Sequence, residues 1–270
     1  MKIRDKVIVI TGGANGIGRE MVLNLLAKGV RVAGVDIDQA GLEETALLAG
    51  SGAERMSAHI VDITDRDVVS ALPSQVIQQH GQVDGLINNA GIIQPFVKIN
   101  TLAYDAIDRV MNINFNGTVN MTKAFLPFLL ERPKAYIVNI SSMGGFLPVP
   151  GQGVYGASQA AIKLFSEALY AELAGTQVHV STVFPGAVAT NIAANSGIDT
   201  SAMLGDAAGE SSFKPMPASQ AAEIIIDGML KERYHILVGS DAKFMNFLFR
   251  LSPKFATNFI TKQMGSLLKE

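Results

Sequence analysis

Short runs of β-branched and aliphatic residues alternate along the chain with longer segments whose apolar positions recur every three or four residues. KVIVIT (6–11), VRVAGVD (30–36), RMSAHIVD (55–62), VDGLINNAG (83–91), AYIVNIS (135–141), VHVSTVFPG (178–186) and YHILVG (234–239) have the length and residue content of strands. Between them lie helical patterns at 16–29, 38–50, 66–81, 103–131, 153–175 and 217–231. Gly29 stops the first helix, and Pro73 predicts a kink or a late start in the third. The strands are nearly continuous in apolar residues, which means that both of their faces are buried. An α/β fold follows: one doubly wound, seven-stranded parallel sheet with helices on both faces.

Composition narrows the classes of function. The 270 residues suffice for one large domain with its own core. With 48% hydrophobic and 17% charged residues, the chain is globular rather than disordered. A net charge of −2 gives no electrostatic footprint for nucleic acid. There is no cysteine, so disulfides, thiolate catalysis and Cys-ligated metals are excluded. That also suits a reducing compartment, and a cytoplasmic location is expected. The four histidines are scattered without metal-ligand spacing, so no metal site is expected. The apolar run near the N-terminus is too short for a signal-peptide core, and no apolar stretch reaches the ~18 residues of a membrane span.

The first turn carries the chemistry. TGGANGIG (11–18) falls between the first strand and the first helix. Gly12, Gly16 and Gly18 let the chain turn tightly and bring backbone N–H groups against a pyrophosphate at a helix N-terminus. The second strand ends in Asp36, an acid placed to accept hydrogen bonds from a ribose and to repel a 2′-phosphate.

The spacing TGxxxGxG resembles that of the short-chain dehydrogenase/reductase family, which implies a Rossmann-type sheet. Further segments agree in order: VDIT (61–64), NNAG (88–91), NFNG (114–117), NISS (139–142) and PGAVAT (185–190). The resemblance implies a cofactor site built from Gly12, Asn15, Gly16, Ile17, Gly18, Asp36, Asp62, Ile63, Asn88, Ala90, Gly91, Pro185, Gly186, Val188 and Thr190, joined by Tyr155 and Gln159. Members that prefer the phosphorylated cofactor usually carry a basic residue where this chain has Asn15 or Ile37, so NAD is implied as cofactor.

The resemblance also implies a catalytic set: Tyr155 as the proton donor and acceptor, Ser142 as hydrogen-bond donor to the substrate oxygen, and Asn114 as holder of a relay water. One position departs from the family's YxxxK: Gln159 stands where the lysine is expected. Glutamine can still hydrogen-bond a ribose, but it supplies no charge to lower the phenol's pKa. Lys163, eight residues on, is too far round and up the helix to stand in. Three explanations stay open: an unusual or slow dehydrogenase, a substituted form of an active one, or a cofactor-binding protein without turnover.

Substrate contacts are expected from 92–99, 143–153 and a lid at 191–216. These offer Phe96, Phe146, Leu147, Val149, Met203 and Phe213 and no arginine, so an apolar alcohol or ketone is expected. Residues 1–240 form the catalytic domain and 241–270 an extension with an apolar stripe (Phe244, Phe247, Leu248, Leu251, Phe255, Phe259) and basic residues. The extension packs on its own domain or a second subunit, with contact to an anionic membrane the less favoured alternative. The resemblance implies a homodimer or homotetramer.

Overall fold

A computed structural model of the chain describes residues 3–198 and 215–264. Seven strands run β1 (Val7–Thr11), β2 (Arg31–Asp36), β3 (Met56–Ile60), β4 (Gly85–Asn88), β5 (Ala135–Ile140), β6 (Val178–Pro185) and, after a separate small pair, β9 (His235–Val238). They form one sheet in the order β3-β2-β1-β4-β5-β6-β9, with every neighbouring pair parallel. The small pair is β7 (Val188–Ala189) with β8 (Met216–Pro217).

Alternation of side chains divides each central strand between two cores. Ile8 and Ile10 of β1 join one core with Met21 and Leu25 of α1 (Gly16–Ala27) and Ile225 and Met229 of α8 (Ala218–Leu230). Val7 and Val9 join the other, with Leu72 of α3 (Arg66–His80), Phe125 of α5 (Thr118–Leu130) and Leu169 of α6 (Gly153–Glu172). Each such side chain, fully buried, is worth about 1.5–3 kcal/mol. Chain order reverses between β1 and β4, which opens a crevice beyond the strands' C-terminal ends.

Two expectations change. Helix α3 does not start late: Asp65 caps it by accepting from Asp67 N and Val68 N, and Pro73 lies buried inside it. The expected helix at 103–131 is three pieces: α4 (Tyr104–Met111), a π-helical stretch at Asn112–Gly117, and α5. Helix α2 (Gln39–Leu48) follows β2, as expected.

The extension is two helices, α9 (Ser240–Leu251) and α10 (Pro253–Met264). Met245, Ala256 and Ile260 bury Leu147 in a third core, with Phe146, Phe249 and Phe259 packed around it. Asp241, at the start of α9, accepts a hydrogen bond from Ala187 N at 2.6 Å. The extension therefore pins the turn after β6 and covers the loop after β5.

Candidate active site

The crevice is a cleft of about 400 Å³ lined by Gly12, Asn15, Gly16, Ile17, Asp36, Ile37, Asp62, Ile63, Ala90, Gly91 and Thr190, among others. Gly12 takes a left-handed φ of +71°, and its N–H donates to Val35 O at 2.8 Å. A side chain on Gly18 would begin 1.9 Å from Gly12 O, so only glycine lets α1 start this close under the turn. Gly16 and Ile17, the first residues of α1, line the cleft, where the first-turn N–H groups and the helix dipole favour an anion. Asp36 is held in place at its wall: Oδ2 accepts from Ala14 N at 3.0 Å and Oδ1 from Asp38 N at 3.1 Å. Asp62 Oδ1 accepts from Thr64 N and Thr64 Oγ1, each at 2.8 Å.

Asn88 corrects the sequence reading. It ends β4 with its side chain turned inward, donating to Asn139 Oδ1 at 2.8 Å and Thr122 Oγ1 at 3.1 Å. Its neighbour Asn89 lines the cleft instead and donates to Thr11 O at 3.0 Å. Pro185, Gly186 and Val188 build the turn that carries Thr190 to the cleft; Gly186 lies so close to Asp241 that a Cβ there would meet its carboxylate at 2.2 Å. Beyond the turn, α7 (Ile192–Asn195) lies over the glycine turn, with Asn195 Nδ2 donating to Asn15 Oδ1 at 2.8 Å. Met203 and Phe213 of the expected lid lie outside the described residues.

Two of the expected catalytic residues, Asn114 and Tyr155, are linked by one hydrogen-bonded chain. Ile92 lines the cleft, and its backbone is gripped by Asn114, which accepts from Ile92 N and donates to Ile92 O, both at 2.9 Å. Asn114 also donates to Ser158 Oγ at 3.0 Å, and Ser158 donates to Tyr155 O at 2.7 Å. Asn114 sits within the π-helical stretch and is fully buried. Ser142 Oγ accepts from Gly144 N at 3.0 Å, which leaves its O–H to donate to the Tyr155 phenol. Burial pushes the Tyr155 phenol up, and the bond from Ser142 pulls the opposite way.

Gln159 is 4% exposed, and its side-chain carbonyl oxygen has no hydrogen-bond partner among the described residues. A buried acceptor left without a partner costs about 1–3 kcal/mol, so a donor that reached Gln159 Oε1 would be bound favourably. Lys163 does not replace the missing lysine, because its ammonium is paired with Glu167 at 2.9 Å.

Sequence reasoning missed Gln94. It is buried, and its Oε1 accepts from both Val154 N (2.8 Å) and Tyr155 N (3.0 Å), while Nε2 donates to Gly151 O at 2.9 Å. Gln152 Nε2 closes the ring by donating to Gln94 O at 2.7 Å. Gln94 thus caps the first turn of α6 from sixty residues away and fixes the backbone that carries Tyr155.

Comparison with known proteins settles the family. The short chain dehydrogenase family model matches residues 6–200. This chain belongs to the short-chain dehydrogenase family. It is 34% identical over 256 residues to SadH of Mycobacterium tuberculosis, covering 91% of this chain and 90% of that one. It is 33% identical to the 3-oxoacyl-[acyl-carrier-protein] reductase FabG of Thermotoga maritima, over 70% of this chain and 77% of that one. Among solved structures, a short-chain dehydrogenase of Mycobacterium paratuberculosis bound to NAD superposes with a TM-score of 0.76 at 25% identity, over 88% of this chain and 97% of that one. A family member from Burkholderia phymatum in complex with NAD gives 0.81 at 24% identity, over 93% and 96%. The seven-stranded Rossmann-type sheet and an oxidoreductase of this family are thereby established.

A second pocket, about 240 Å³, lies where the 92–99 and 143–153 loops meet α10. Gln94, Val97, Ile99, Pro148, Val149, Thr257 and Thr261 are among its lining residues. Of the described residues expected to face substrate, only Val149 is among them. Phe146 and Leu147 are instead packed under the extension, because the third core claims them.

Proposed function

We propose that the protein interconverts an uncharged, apolar secondary alcohol and its ketone with NAD, using Tyr155 as general acid and base. The observation that carries this is a buried Tyr155 phenol acted on by Ser142, with Gln159 one helical turn further along α6 and its side-chain carbonyl without a partner among the described residues. Residues of the glycine turn, Asp36, Asp62, Ile63, Ala90, Gly91, Thr190 and Gln159 would hold the cofactor. The binding of NAD by the relative from Mycobacterium paratuberculosis supports that choice, as does the absence of any cation at Asn15 and Ile37. Bound NAD supplies or accepts the hydride. Ser142 and Tyr155 direct their hydroxyls at the substrate oxygen, where negative charge develops, and Tyr155 passes the proton. Asn114 and Ser158 hold the backbone behind Tyr155, and a relay water would be ordered at Asn114. Gln159 accepts a hydrogen bond from a ribose hydroxyl and satisfies its own orphan oxygen. Among the described residues, the lining of the second pocket has no charged side chain, which supports an apolar substrate over a sugar or an acid.

The test is NADH consumption with a panel of apolar ketones, wild type against Tyr155→Phe. Loss of the proton donor should cost about 10²–10⁴ in rate. A second reading, NAD binding without turnover, is favoured by one observation: among the described residues, no cation acts on the Tyr155 phenol. NADH binding with no turnover on the whole panel, unchanged by Tyr155→Phe, would establish that second reading.

A further inference from the structure

The two C-terminal helices bury one face and leave the other bare. On α9, Ala242 and Met245 are buried, while Phe244, Phe247 and Leu251 are 45%, 66% and 72% exposed. They stand at i, i+3 and i+7 and so form one stripe along the helix. The stripe continues onto α10: the Phe259 ring lies 6.2 Å from that of Phe244, and Phe255, one turn earlier, is 57% exposed. Helix geometry then places cations along both margins. Lys243 and Arg250 each precede a stripe residue by one position, ~100° around α9 on the side away from α10. Lys254 and Lys262 lie on the outer face of α10, beyond Phe255 and Phe259. All four are exposed, and none forms an ion pair among the described residues. The one acidic residue of the two helices, Asp241, is turned inward onto Ala187 N. This basic margin stands out on a chain whose net charge is −2.

We propose that this face docks on an anionic lipid surface, with the aromatic stripe at the acyl boundary and the four cations at the lipid phosphates. Aromatic residues with long cations beside them match that boundary, where rings and alkyl stems are apolar and charged tips stay wet. Charge complementarity decides against a second copy of the chain, since a two-fold contact across the stripe would set the same cations against each other. Docking would have a consequence for access. The opposite edge of α10 contributes Thr257 and Thr261 to the apolar pocket, so the pocket would sit beside a surface in which apolar substrates partition.

The experiment is co-sedimentation of the full chain with vesicles of phosphatidylcholine, alone or mixed with phosphatidylglycerol. Wild type should bind the mixed vesicles, bind those of phosphatidylcholine weakly, and come off as salt is raised. Lys243→Glu/Arg250→Glu should weaken binding at least fivefold for each cation lost, and Phe247→Ser/Leu251→Ser more than tenfold. These side chains are exposed, so circular dichroism and thermal melting should match wild type. Failure of wild type to bind the mixed vesicles overturns the proposal, as does equal binding by both double variants. A fall in oligomer size with Phe247→Ser/Leu251→Ser, without lipid binding by wild type, would assign the face to a second copy and overturn it as well.

Discussion

Restoring the missing charge is the sharpest perturbation of the proposed chemistry. Gln159 lies one helical turn beyond Tyr155 and is 4% exposed, so a lysine there points along the same face into a dry site. A unit charge ~5 Å from the phenolate oxygen, at an effective dielectric of ~20, is worth about 3 kcal/mol. That alone raises the tyrosinate population at neutral pH by about two orders of magnitude. Two effects reduce the gain. The ammonium loses solvation in the same site. The phenolate also becomes a weaker base, which returns about half the gain on a logarithmic scale when the proton is midway in the transition state. Gln159→Lys should therefore speed alcohol oxidation about tenfold at neutral pH. As pH rises past the wild-type phenol's raised pKa, both forms become tyrosinate, and the ratio should fall to one and then below it. Ketone reduction at any fixed pH should gain by the same factor in kcat/KM, because the overall equilibrium is untouched. The assay is NAD-linked turnover of one active alcohol–ketone pair across a pH series. A ratio that stays flat with pH, or no gain at neutral pH, would refute the reasoning.

Other outcomes follow from the same structure. Asp36→Ala removes the charged acceptor at the cleft wall; it should weaken NADH binding about tenfold and narrow the preference over NADPH, both read from nicotinamide fluorescence titrations. Asp84 is buried between Lys6 and Arg132, each at 3.0 Å, and also accepts from Val7 N. Burial would raise its pKa, but the Val7 N–H and Lys6, with Arg132, hold it below the usual carboxylate range. Its contribution is thus complete above the unfolded value of ~3.9 and lost as pH falls through the lower folded pKa. Asp84→Asn should cost about 3–5 kcal/mol at neutral pH in urea melts and flatten stability at the acid end. Gln94→Leu leaves Val154 and Tyr155 N–H without acceptors; it should lower kcat about tenfold with KM little changed, whereas a merely structural role would lower thermal stability alone.

Local patterns in the sequence were reliable where one segment determines its own structure. The alternating cores of β1, the glycine turn and Asp36 were legible because their spacing is itself the geometry. Errors arose where a single residue of phase decides the outcome. Asn88 and Asn89 are adjacent, and alternation at the end of β4 turns one inward and the other to the cleft. The π-helical stretch at Asn112–Gly117 adds residues to a helical turn without leaving a break in the apolar pattern. Other features depend on partners far away in the chain. Gln94 acts on α6 sixty residues later, and Phe146 and Leu147 are claimed by helices a hundred residues on. Pro73 reads as a breaker, yet α3 runs through it with the Asp65 cap and a buried apolar face holding it.

The central claim is that Tyr155 serves hydride chemistry in a site that lacks the lysine. It is tested most directly by incubating the protein with NADH deuterated at the nicotinamide and an apolar ketone, then locating the label by mass spectrometry. Deuterium on the carbinol carbon of the product with wild type, and its near absence with Tyr155→Phe at equal NADH binding, is the expected result. Bound NADH with no labelled alcohol from wild type, or equal labelling by both proteins, would contradict the account.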